Sequence, residues 1–162
     1  MKTDLELTAA KSALAVGLRE RHLLVRGPNG YGQVALIREV LRQRNEADPL
    51  AFAAHAGLEI SELVGRIEMR AGPGGSPEQS WIDGPLYQAM RQGRRLLIND
   101  VELLSPAVLD VLESVIRYGR IAADPQTGRP GRLVSPGFGV VALATTTWWR
   151  LLEIFRWRVV SF

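Results

Sequence analysis

The sequence predicts an α/β domain built on a parallel sheet, and three observations predict it. Apolar runs of strand length alternate with stretches of helical periodicity; no internal repeat or low-complexity linker interrupts them; and a glycine-rich turn joins the first such strand to the helix after it. With 162 residues, 46% of them hydrophobic and 23% charged, the chain is long enough to bury one substantial core.

Taken in order, Leu7, Ala10, Leu14 and Leu18 share one face of a helix predicted over residues 5–18. The first strand is predicted at 22–26 and the glycine turn at 27–32. Beyond it, Val34, Leu36, Ile37, Val40 and Leu41 repeat at helical spacing up to the polar stretch 42–48. Strand, glycine turn and helix, in that order, is what a phosphate loop requires. Residues 50–54 form a second short apolar run, and 60–65 read as a brief helix or turn. Residues 70–80, with Gly72, Pro73, Gly74, Gly75 and Pro77, carry the strongest loop signal. Leu86, Ala89 and Met90 mark a further helix, and 95–99 a compact strand. Ser105 and Pro106 are the N-cap and first residue of a helix that buries Val108, Leu109, Leu112, Val115 and Ile116. Residues 119–136 suit a protruding hairpin and 140–144 a strand; the aromatic, arginine-rich segment 148–162 ends in four residues that suit one more strand.

Composition removes several chemistries. With no cysteine there is no disulfide, thiolate metal site or cysteine nucleophile, and a reducing compartment is expected. Two histidines, His22 and His55, do not make a zinc site. No apolar run approaches the span of a bilayer and the N-terminus lacks the layout of a secretory signal, so a soluble, intracellular protein without membrane contact is expected. The net charge of +3 comes from arginines spread along the chain, with Lys2 and Lys11 the only lysines. That pattern reads as a solvated surface rather than a nucleic-acid footprint.

Two segments carry candidate chemistry. Gly27-Pro28-Asn29-Gly30-Tyr31-Gly32-Gln33-Val34 has the glycines of a phosphate loop, but Gln33 and Val34 stand where lysine and Ser/Thr are expected. Backbone amides and the helix N-terminus can still cradle an anion. The lysine charge and the Mg²⁺-ligating hydroxyl are gone, so affinity should fall and metal positioning should fail. A strand-to-helix turn that is glycine-rich only because the chain reverses tightly fits this segment equally well. Leu96-Leu97-Ile98-Asn99-Asp100 has an apolar run ending in an acid. Asn99 occupies the position of a metal-organising aspartate and Asp100 that of a water-activating glutamate, although both residues also suit a plain strand end and turn.

Taken together, several segments resemble the AAA modules of midasin, and more loosely those of dynein and the MoxR group. The most specific run is Trp81-Ile82-Asp83-Gly84-Pro85-Leu86, followed by Ala89, Gly93, the strand 96–99, Leu103-Leu104-Ser105-Pro106 and Val108-Leu109-Asp110-Val111-Leu112. Residues 119–135 fall where that family has a glycine-containing β-hairpin. Glu62-Leu63-Val64-Gly65-Arg66 resembles the element after the family's second strand, and 138–145 its sensor-1 strand. Thr147 then falls at the sensor asparagine and Trp148 at the proline after it. Arg156 matches the arginine finger, on a spacer shorter than the family's.

The resemblance implies a three-layer P-loop NTPase (AAA+) core with a five-stranded parallel sheet of order 5-1-4-3-2 and an inserted hairpin, forming one large α/β subdomain over 1–162 without the helical lid. It implies ATP or ADP as ligand, Mg²⁺ poorly supported, and other AAA+ modules or protein partners in a remodelling assembly, with ribosome biogenesis in the nucleus or cytoplasm as the nearest precedent. Three functions follow: a degenerate core that binds nucleotide weakly and hydrolyses little, with Asp100, Asn99, Thr147 and Arg156 as remnants; an active ATPase using Asp100 and Arg156; or a nucleotide-free interaction domain presenting the 119–135 hairpin and Trp148, Trp149 and Trp157.

Overall fold

A computed structural model describes residues 4–28, 32–156 and 158–162. Its elements are α1 (Asp4–Gly17), β1 (Leu23–Arg26), α2 (Gln33–Gln43), β2 (Leu50–Ala53), α3 (Ile60–Val64), β3 (Gly65–Ala71), β4 (Pro77–Asp83), α4 (Pro85–Gln92), β5 (Arg95–Asn99), α5 (Pro106–Tyr118), β6 (Arg120–Ile121), β7 (Arg132–Leu133), β8 (Gly139–Ala144), α6 (Trp149–Ile154) and β9 (Val159–Ser161).

Five strands form a parallel sheet in the order β2-β5-β8-β1-β9. Numbering only these five along the chain and starting from the β9 edge, the order is 5-1-4-3-2, as expected. The sheet is covered on both faces, and strand alternation sorts its side chains. Leu24, Leu96, Ile98, Val140 and Ala142 pack with the buried faces of α4, α5 and α6. Leu23, Val25, Leu97, Val141 and Leu143 pack with Ala10, Leu14 and Leu18 near α1 and with Leu36, Ile37, Val40 and Leu41 of α2. Two helical layers around one sheet make the three-layer arrangement. Leu7, placed on the buried face from sequence, is 41% exposed, because α1 reaches the sheet only through its second half.

Two hairpins stand apart from the sheet. Residues 70–80 are not simply a loop: β3 and β4 pair antiparallel over seven positions, from Gly65↔Asp83 to Ala71↔Pro77. The glycines and prolines occupy only the tip at 72–77. This hairpin escapes sequence reading because its glycine- and proline-rich tip dominates the local signal and β4 has no apolar stripe; β3 alternates Ile67, Met69 and Ala71 with Arg66, Glu68 and Arg70, yet is mostly exposed. The expected hairpin at 119–135 is present but minimal, with β6 and β7 pairing through Arg120↔Leu133 and Ile121↔Arg132 and one further bridge, Asp124↔Arg129. Ser105 caps α5 as predicted, its hydroxyl accepting from the Val108 N–H at 3.4 Å. The tail holds a short helix, α6, that its aromatic composition concealed.

The amino-terminal end of the sheet, opposite the glycine turn, is held by Arg95 at the start of β5. This guanidinium is 7% exposed and fully engaged: it bonds Glu46 at 2.7 Å and the carbonyls of Leu18 and Glu20 at 2.8 and 2.9 Å. Beside it, His22 accepts the Val140 N–H on Nδ1 at 3.1 Å. Burial, then the charges of Arg158, Arg95 and Arg21, lower the His22 pKa to about 4. In the unfolded chain the ring takes up a proton near its ordinary value of 6.5, while the folded protein keeps it neutral. Stability should therefore fall as pH drops through this window, by about 1 kcal/mol per unit, and level off below it. Denaturant midpoints measured between pH 7 and 4 should show this slope, and His22→Asn should flatten it.

Candidate functional site

The carboxyl ends of β5, β8 and β1 lie side by side, and most of the sequence-predicted site residues gather there. β1 is flanked by β8 and β9 and is therefore interior to the sheet. Gly27 follows it, with its N–H donating to the Ala144 carbonyl at 3.0 Å. A Cβ at Gly27 would run into the side-chain amide of Gln33 and come within 3.0 Å of the Phe162 Cβ, so only glycine fits without displacement. Pro28 is exposed. Asn29, Gly30 and Tyr31 lie outside the described residues. The chain re-enters at Gly32, in the left-handed region at φ +67°, and the Gly32 carbonyl accepts from Leu36 N–H at 3.0 Å to start α2. Strand and helix N-terminus thus follow one another in the order a phosphate loop requires.

Gln33 is 7% exposed, and among the described residues its Nε2 has no hydrogen-bond partner. The contrast with Arg95, equally buried and fully bonded, is informative: an amide donor held without an acceptor costs free energy unless something supplies one. Val34 is half-buried and packs against the α1–α2 side of the core. It serves as a core contact where a metal-ligating hydroxyl would be needed.

Asn99 ends β5; its carbonyl accepts from Ala54 N–H at 2.9 Å and its side chain is neutral. Asp100 sits in the left-handed region at φ +54°, a conformation that Asp and Asn tolerate better than most residues, and it leads into a 3-10 turn, Val101–Leu103. With strands spaced about 4.8 Å apart, the ends of β5 and β1 lie about 10 Å from each other across β8.

Thr147 is half-buried between β8 and α6. The threonine engaged at the strand end is Thr145, whose N–H and hydroxyl both donate to Glu102 Oε1, at 2.8 and 2.6 Å. Sequence reasoning missed this pair; an acid two residues beyond the strand-ending one, matched to a threonine run after β8, was its only signal. Arg156 is exposed just past α6 at φ +50°, and among the described residues no hydrogen bond or ion pair joins it to the strand ends. Trp148 packs on the core, Trp149 is 67% exposed, and Trp157 lies outside the described residues.

Among the described residues no group of three or more His, Asp or Glu is placed to hold a metal. A neutral Asn99 and a core-facing Val34 do not fit Mg²⁺ at its customary positions, whereas the orphaned Gln33 amide fits a phosphate oxygen. Nor is any helix among the described residues long and apolar enough to cross a membrane.

A three-layer α/β core with a glycine turn between its interior first strand and the following helix defines a domain of the P-loop type. The chain belongs to the AAA domain family, dynein-related subfamily, whose profile matches residues 22–148. It is similar to an uncharacterized protein of Staphylococcus aureus (strain USA300), 30% identical over 135 residues, which are 83% of this chain and 51% of that protein. An uncharacterized protein of Staphylococcus saprophyticus is 30% identical over 122 residues, 75% of this chain and 46% of its own. The chain spans about half the length of the curated relatives it matches. Among crystal structures, the fold is shared with a candidate ATPase from Cytophaga hutchinsonii (TM-score 0.58, 15% identity, 90% of this chain and 39% of that one). NtrX from Brucella abortus shares it too (TM-score 0.66, 16% identity, 99% of this chain and 37% of that one).

Proposed function

We propose that this AAA domain is a degenerate nucleotide-binding core: it holds ATP or ADP weakly, hydrolyses it little or not at all, and acts by packing against other AAA modules or protein partners in a remodelling assembly. The observation that carries the reading is the buried Gln33 amide at the N-terminus of α2, beside Gly27 and without a hydrogen-bond partner among the described residues. A phosphate oxygen satisfies that amide together with the helix-end N–H groups. What the amide lacks is the lysine's full charge, and Val34 and Asn99 leave Mg²⁺ without its ligands. Asp100, Thr147 and Arg156 remain as weak candidates for catalytic roles in this reading. The bacterial relatives support a cytoplasmic setting over a nuclear one, and the ribosome-assembly precedent of midasin carries over only as an instance of remodelling.

Titration with a fluorescent ATP analogue tests this. Binding should be weak and should change by less than about twofold when Mg²⁺ is removed, with no phosphate release above background. Tight, Mg²⁺-dependent binding with turnover would identify an active ATPase instead. Complete absence of binding would favour the interaction-domain reading, for which the exposed Trp149 is the specific support.

A further inference from the structure

The turn after β5 brings a carboxylate back to the sheet. β5 pairs with β8 only as far as Ile98↔Ala142, whereas β8 continues along β1 to Arg26↔Ala144. Beyond Ala142, β8 has lost its neighbour on the β5 side. Glu102, carried there by the left-handed step at Asp100 and the 3-10 turn, supplies the missing partner. Its Oε1 takes both the N–H and the hydroxyl of Thr145.

The peptide joining Ala144 to Thr145 is thereby gripped from both sides. In a planar trans peptide the C=O and N–H point in opposite directions. Here the C=O accepts from Gly27 N–H at 3.0 Å, while the N–H donates to Glu102 at 2.8 Å. The other carboxylate oxygen, Oε2, is buried and has no hydrogen-bond partner among the described residues.

We propose that Glu102 is a positioning residue for the phosphate loop: through the 144–145 peptide it fixes the orientation of Gly27, from which the loop departs. The proposal rests on reading residues 27–34 as the anion-binding segment. Its consequence is that an acid outside the expected strand motif governs how Gly27 is held at the end of β1, by charge-assisted hydrogen bonds rather than by touching nucleotide.

The test compares wild type, Glu102→Ala and Glu102→Gln. Amide hydrogen exchange of the nucleotide-free protein, resolved by NMR, should accelerate roughly tenfold or more at Thr145 and Gly27 in Glu102→Ala, while Leu24 and Val25 in the middle of β1 keep their protection. Glu102→Gln retains a carbonyl acceptor and should restore most of the protection. Affinity for a fluorescent ADP analogue should follow the same order. Unchanged exchange at Gly27 in Glu102→Ala overturns the proposal, and so does an equal loss at Leu24 and Val25, which would mean general destabilisation. If Glu102→Ala does not fold, Thr145→Ala against Thr145→Ser, read by the same exchange, decides the question. Should wild type bind no nucleotide, the anion-binding reading fails by itself, while exchange at Gly27 still judges the coupling.

Discussion

Asp83→Ala is expected to lower the stability of the domain by about 3 kcal/mol and to release the 119–135 hairpin from its body. Asp83 side-chain exposure is only 14%, and three donors converge on the carboxylate. Trp81 Nε1 and Arg132 Nη2 bond Oδ1 at 3.0 and 2.8 Å, and Arg91 lies 3.4 Å from Oδ2. Arg132 belongs to β7, and its guanidinium stacks 5.0 Å over the ring of Tyr87, whose hydroxyl donates to the Pro130 carbonyl at 2.7 Å. One carboxylate therefore ties together β4, α4 and the second hairpin. Removing it leaves Arg132 a part-buried charge with its strongest partner gone. Asp83→Asn keeps an acceptor and should lose only about 1 kcal/mol. Denaturant midpoints measure the stability loss, and limited proteolysis between residues 121 and 132 reports the release. A midpoint for Asp83→Ala within error of wild type would show that the hairpin is held by other contacts.

The same cluster explains what the Trp81–Leu86 run is for. Trp81 and Asp83 make the clamp, and Gly84 lets the chain pass where a Cβ would meet the Leu63 carbonyl at 2.6 Å. Pro85 then starts α4. The fold was legible because covered parallel strands must be apolar on both faces, so 96–98 and 139–144 announce themselves as unbroken apolar runs. The β3–β4 hairpin was not, because its glycine- and proline-rich tip dominates residues 70–80 and the alternation of β3 has no counterpart in β4. For the site, the residues singled out from sequence lie at the carboxyl ends of β1 and β5, a placement that depends only on local order along the chain. Sequence could not find Glu102 and Thr145: their bond joins residues 43 apart and exists only because β8 outlasts its pairing with β5. Val34 was read as a lost ligand; the structure adds what it does instead, which is to pack against the core.

That second role decides what rebuilding the site requires. Gln33→Lys alone is expected to leave phosphate release at the wild-type background, because the added charge can attract nucleotide while Val34 and Asn99 still provide no ligand set for Mg²⁺. Adding Val34→Thr and Asn99→Asp supplies a hydroxyl beside the loop and an acid at the end of β5, with Asp100 retained next to it. Since one well-placed electrostatic group is worth ~10²–10³ in rate, the triple variant should exceed wild type by at least ~10²-fold in Mg²⁺-dependent turnover. The gain comes at some cost in stability: a threonine hydroxyl at position 34 meets a partly apolar contact, so the triple variant should unfold about 1 kcal/mol more easily without nucleotide. Phosphate release measured across a Mg²⁺ titration separates the contributions. Turnover by Gln33→Lys alone would show that the metal is organised by residues other than these. Tight Mg²⁺-dependent binding by the triple variant without turnover would locate the remaining defect at Asp100, whose side chain is one bond shorter than a glutamate's and whose backbone is in the left-handed region.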